Sequence, residues 1–124
     1  MRAAVLAFTV ALTLGMSFAD AADTLVTKPS LHSCVLTRIS QLGSRLDSNP
    51  ESGSGVMYAN GVVGVAYDIV RAIQLSRVGD PVRICLIAIA PGCPKGDGET
   101  YSALNLRTHG KWTLPNNVHV CDGY

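Results

Sequence analysis

Two short segments of the chain place a histidine two residues before a cysteine: His32-Ser33-Cys34 and His119-Val120-Cys121. Residues two apart on a strand project from the same face, so each segment offers an imidazole and a thiol side by side. If the segments met, His32, Cys34, His119 and Cys121 would form a four-ligand set of the kind that holds zinc. Neither half has the ligand spacing of a structural zinc site, and thiols in an oxidising compartment close into disulfides instead. Metal handling by these four residues is therefore the alternative expectation, behind two disulfides and no cofactor.

The other groups able to act chemically are few. His109 falls in an expected hairpin turn, where a solvated imidazole is the plainer reading. Asp68, Asp80, Asp97 and Glu99 supply carboxylates without the paired spacing of acid–base catalysis. Asp97-Gly98-Glu99 is far short of the six or more oxygens that calcium takes, and reads as a turn. Serine-nucleophile, P-loop, dinucleotide-binding and zinc-protease patterns do not occur. Trp112, with Arg107 and Lys111 close by, is the one candidate binding surface, since Trp and Arg are favoured at interface hot spots. The competing role for Trp112 is as the large filler of a core short of aromatic residues.

The compartment is set by the first residues. Arg2 supplies a positive start, Ala3 to Met16 is apolar apart from Thr9, Thr13 and Gly15, and small residues recur at Ala19 and Ala21. The run suits a secretory signal peptide and is too short for a membrane span. The expectation is cleavage after Ala21, an export route to the periplasm or the medium, and no stable membrane insertion afterwards. Both phenylalanines, Phe8 and Phe18, leave with the leader, so the core must be built from Val, Ile, Leu and Ala. Losing Arg2 and Asp20 together leaves the formal charge at +1. A balance so near zero, with scattered charges, argues against a nucleic-acid partner or an anionic membrane surface.

All four cysteines lie beyond the leader, and four allow three disulfide connectivities. Cys85 and Cys93 flank the turn-forming Ala90-Pro91-Gly92, which favours Cys85–Cys93 together with Cys34–Cys121. The short and long loops so closed are worth about 2.5 and about 4.5 kcal/mol by the chain-entropy model.

The elements that carry these residues read as strands. Residues 22–30 form a polar, flexible arm, and 31–124 a single small domain. Over Leu31–Leu46, Val35, Ile39, Leu42 and Leu46 fit helical spacing. The β-branched alternation of Val35, Thr37 and Ile39 favours a strand, and so does Gly43. Asp47–Gly55 is a loop by composition. Val56–Ala59 and Val62–Val65 flank Asn60-Gly61, the signature of a hairpin with a type I′ turn. A second hairpin is expected from Ile69–Val78 and Val82–Ala90 around Gly79-Asp80-Pro81, with the second strand central. A helix over Val62–Ile73 is the alternative. A third hairpin joins Tyr101–Arg107 to Lys111–Leu114 through Thr108-His109-Gly110. Three hairpins in series predict a mainly β fold: a small antiparallel meander or barrel, stapled by disulfides.

The stretches SRVGDPVRICL (76–86), YSALNLRTHGKWTLP (101–115) and HVCDG (119–123) resemble a family of small bacterial exported proteins of unknown function. The resemblance covers most of the chain after the leader and implies a bacterial envelope or secreted context. It carries no activity and no catalytic residues. The function expected is a non-catalytic binding or envelope accessory role, inhibitor-like in form, toward an envelope or extracellular protein or ligand.

Overall fold

Among the described residues, alternation of apolar and polar side chains produces six strands, and one helical turn joins two of them. They are β1 (Cys34–Gly43), β2 (Ser54–Tyr58), β3 (Val63–Ala66), α1 (Arg71–Gln74), β4 (Pro81–Ile89), β5 (Glu99–Asn105) and β6 (Lys111–Pro115). The computed structural model describes residues 26–119 and 121. The expected leader, 1–21, lies outside the described residues, as do 22–25 of the expected arm.

The ambiguous first segment is a strand, and its helical spacing has a structural cause. Thr37 and Ile39 point inward and are almost fully buried, as two-residue alternation requires. A bulge between Ile39 and Gln41 then inserts one extra residue against β2. Leu42, three positions after Ile39, consequently also packs on the core. The bulge gives a strand the i, i+3 spacing of a helix.

Asn60-Gly61 does turn β2 into β3, in a different way from the type I′ expectation. Type I′ needs positive φ at both central residues, and here Gly61 alone has it, at 84°. Tyr58 N donates to Val62 O and Gly61 N to Tyr58 O. The loop is thus three residues long, with glycine at the left-handed position. Asn60 contributes through its side chain, whose Oδ1 accepts from Val62 N at 3.1 Å.

The expected second hairpin does not form. Ile69–Val78 is not a strand: Arg71–Gln74 makes one helical turn whose buried residue is Ile73, and β4 pairs with β1 and β5 instead. Ser54 Oγ takes the Val70 N–H at 2.8 Å, outside any strand ladder. Near its end, the Asp80 side chain accepts from Arg77 N and closes the turn into β4. The third hairpin forms as expected, although β5 ends at Asn105 rather than Arg107.

The resulting order is β3-β2-β1-β4-β5-β6, all antiparallel. Two three-stranded meanders are therefore joined along β1 and β4, rather than three hairpins strung in sequence. β4 is central, as its nearly unbroken apolar run required. The sheet curls into a half-barrel until β3 meets β6. Gly64 makes this approach possible, because a Cβ there would sit 3.3 Å from Leu114 and 3.2 Å from Val56. Inside lie Ile39, Val56, Tyr58, Val82, Ile84, Tyr101, Trp112 and Leu114.

The disulfides pair differently from the expectation: Cys34–Cys85 and Cys93–Cys121. Strand pairing dictates this. Cys34 and Cys85 are direct partners in the β1–β4 register, with Cα atoms 4.0 Å apart. Cys85 lies within β4, which continues to Ile89 before the chain turns. Four extended residues span about 13 Å, so Cys85 is carried away from the Pro91-Gly92 turn and Cys93. Cys93 instead meets the tail at Cys121, Cα to Cα 5.0 Å.

Candidate functional site

The residues singled out from the sequence do not converge. Trp112 is 6% exposed and belongs to the core, where its Nε1 donates to Tyr58 Oη at 2.9 Å. Burial pushes the Tyr58 hydroxyl up to about 12, with the Trp112 hydrogen bond acting in the opposite direction. Trp112 thus takes the competing role of core filler, and the candidate Trp112–Arg107–Lys111 surface is not brought together: Lys111 is exposed on β6, and Arg107 is engaged elsewhere. The alternative metal set fails because Cys34 and Cys121 belong to two different disulfides. A bonded sulfur is no thiolate ligand. No group of three or more His, Cys, Asp or Glu side chains able to hold a metal occurs among the described residues.

Arg107 and Asp80 anchor a polar cluster that the sequence did not reveal. Arg107 Nε and Nη2 grip the two Asp80 carboxylate oxygens at 2.6 and 2.9 Å. Asn105, fully buried, donates from Nδ2 to Asp80 Oδ2 and to Ser76 Oγ, both at 2.9 Å. Its Oδ1 accepts from the Arg107 and Thr108 amides. The Arg107 hydrogen bond holds the Asp80 carboxyl well below the usual carboxylate range. Asn105 and the Arg77 N–H reinforce it, while burial opposes. No buried polar side-chain atom among the described residues lacks a partner, and the cluster locks the α1–β4 connection to the β5–β6 turn.

A cleft of ≈ 520 Å³ opens at the opposite end of the half-barrel. Four parts of the chain line it: Lys28 of the arm, Gly61–Val63 of the first hairpin, Lys95, Gly96, Asp97, Glu99 and Tyr101 of the loop before and into β5, and Asn116 after β6. The volume is within the usual range for small-ligand sites. Each wall is fastened. The arm is not loose here: Pro29 is buried, and Asn60 Nδ2 donates to Thr27 O at 3.1 Å. The 91–98 loop is tied by Cys93–Cys121 and by Asn116, whose Nδ2 donates to Gly96 O at 2.8 Å. Asn116 Oδ1 accepts from Glu99 N at 3.2 Å, fixing the loop where it enters β5. Gly98, at φ 68°, lies against the Cys93 sulfur and has no room for a Cβ.

The cleft's chemistry is mixed. Lys28 and Lys95 supply ammonium groups, and Asp97 and Glu99 supply carboxylates. The Tyr101 hydroxyl donates to Glu99 Oε2. Burial, together with that carboxylate, pushes the Tyr101 hydroxyl well above the usual phenol range, so it stays protonated as a donor. The chemistry this lining offers is charge and hydrogen bonding. From the sequence Asp97-Gly98-Glu99 reads as a turn, and nothing local marks Lys28 or Asn116. No local motif links residues so far apart, and only the tethering of a Pro- and Gly-rich loop by cysteine hinted at the place.

No helix among the described residues is long and apolar enough to cross a membrane. No protein-family model matches the chain, no curated protein matches its sequence, and no solved structure matches its fold.

Proposed function

We propose that this protein is an exported, non-catalytic binding module of the bacterial envelope that takes a small polar ligand in the Lys28–Lys95–Glu99–Tyr101 cleft. The observation that carries the reading is the fastening of that cleft: a disulfide and two asparagine side chains hold walls from four separate parts of the chain. Preorganised walls lose little freedom on binding, which is how a small site gains affinity. Two disulfides suit an oxidising compartment, and the leader-like first residues and the family resemblance support export. The lining offers both signs of charge. A ligand bearing an ammonium and a carboxylate, such as an amino acid or a short peptide, complements it.

Amide NMR titration of the oxidised protein with short peptides tests this. Shifts are expected to concentrate at Gly61, Gly96, Glu99, Tyr101 and Asn116. Glu99→Gln removes the carboxylate that would face the ligand's ammonium, and should weaken binding roughly tenfold, consistent with losing a charged hydrogen bond of about 1.5 kcal/mol. Shifts confined to other surfaces, or an unchanged affinity in the Glu99→Gln variant, would overturn the reading.

A further inference from the structure

We propose that Cys34–Cys85 is a thiol–disulfide exchange site, opened by a dithiol protein partner while Cys93–Cys121 stays closed. The inference is independent of the cleft and rests on where strand alternation puts the sulfurs. In β1, Thr37 and Ile39 face the core, so Cys34, Leu36 and Arg38 face outward and are exposed. In β4, Val82, Ile84 and Leu86 face the core and Arg83 and Cys85 face outward. The bond therefore lies on the solvent side of the seam between the two meanders, with Cys34 exposed and Cys85 half-buried. Buried structural disulfides resist thiol attack, whereas exposed ones are the labile and regulatory class.

Two further features of this bond favour exchange. Its Cα atoms, 4.0 Å apart, are closer than the 4.4–6.8 Å that disulfides usually span and closer than unlinked antiparallel partners sit. Opening it lets the strands relax to ordinary spacing. Arg83 lies two residues from Cys85 on the same outward face, about 7 Å along the strand. A guanidinium there stabilises the thiolate that leaves. The other bond has no exposed sulfur residue: Cys93 and Cys121 are both half-buried, and the Cys93 sulfur lies close against Gly98.

The exchange balances without further reagents. A thiolate of the partner attacks Cys34 Sγ, forming a mixed disulfide. The electron pair of the broken bond goes to Cys85, which takes up a proton. The partner's second thiol, deprotonated, then attacks its own sulfur in the mixed disulfide and expels Cys34 as a thiolate that is protonated in turn. Two electrons and two protons pass to Cys34 and Cys85, and the partner leaves as a disulfide. The fold survives the step, because β1 and β4 remain paired through Val35 and Ile84, Leu36 and Arg83, and Thr37 and Val82 over the core.

Oxidised protein is treated with graded dithiothreitol without denaturant, quenched, alkylated and mapped by mass spectrometry, with circular dichroism followed in parallel. Cys34 and Cys85 should be alkylated at least tenfold sooner than Cys93 and Cys121, with the β signal unchanged. A C-x-x-C dithiol protein lacking its second cysteine should be trapped on Cys34. Equal rates, earlier opening of Cys93–Cys121, or opening only as the β signal is lost would each overturn the proposal. A Cys34→Ser/Cys85→Ser double variant isolates the fold requirement: it should be folded and monodisperse, and an unfolded double variant refutes an exchange that leaves the fold intact.

Discussion

Asp80→Asn is expected to destabilise the protein by about 2–3 kcal/mol at pH 7, or roughly 10–20 °C in Tm for a domain of this size. The side chain is nearly isosteric, so the loss is electrostatic rather than steric. Asp80 Oδ2 accepts from the Arg77 N–H, Asn105 Nδ2 and Arg107 Nη2 together. An amide nitrogen at that position faces three donors and can accept from none of them, and one at Oδ1 faces the Arg107 Nε–H; either way the Arg107 charge loses its counter-charge. The figure is set below that for breaking a fully buried pair, because the Arg107 side chain is 39% exposed and water can rescue it in part. Urea denaturation followed by circular dichroism measures the difference directly.

The same carboxylate gives the stability a definite pH dependence. Its folded-state pKa is depressed below the unfolded value of 3.8, chiefly by the Arg107 hydrogen bond. The contribution is therefore complete above about pH 4 and is lost progressively as the pH falls further. The wild type should lose stability below pH 4 faster than Asp80→Asn, so the gap between them narrows in acid. A gap that is constant from pH 7 to pH 2 would show that the carboxylate is not engaged as described.

The second large effect belongs to Trp112. Trp112→Ala should cost about 3–5 kcal/mol, enough to unfold much of a small domain, because it empties the interior of a half-barrel otherwise filled mainly by aliphatic side chains. Trp112→Phe keeps most of the volume and deletes only the Nε1–H that Tyr58 accepts. Its hydroxyl is then left buried with a missing partner, at about 1–2 kcal/mol. Tyr58→Phe should cost less in the Trp112→Phe background than alone, by about 1 kcal/mol in a double-mutant cycle. If Trp112→Ala changed stability by less than about 1 kcal/mol, Trp112 would be a surface residue and the core described here would be wrong.

Local signals in the sequence were reliable where they acted over a few residues. Asn60-Gly61 marked a real hairpin, and the alternation of Val82, Ile84 and Leu86 marked a real central strand. Long-range pairing was not legible. Ile69–Val78 is rich in apolar residues, yet nothing local announces that β1, some forty residues upstream, takes the place beside β4. That single substitution of partners also moved the cysteines. Proximity along the chain favoured Cys85–Cys93, while the β1–β4 register made Cys34 and Cys85 neighbours. The bulge in β1 disguised a strand as a helix by the same kind of non-local cause, since the extra residue is accommodated by β2. The cleft was the least legible feature, because Lys28, Gly61, Glu99 and Asn116 meet only once the sheet has curled.

One bridge crosses the seam between the two meanders, from β1 to β4, and the other holds the cleft's loop to the tail. Peptide mapping of the purified protein without reduction decides which sulfurs are bonded, provided the digestion cuts between Cys85 and Cys93, which share the tryptic peptide Ile84–Lys95. Two cross-linked species are expected, Cys34 with Cys85 and Cys93 with Cys121, in protein purified under non-reducing conditions. Recovery of a Cys85–Cys93 link, or of four free thiols in such protein, would contradict this pairing.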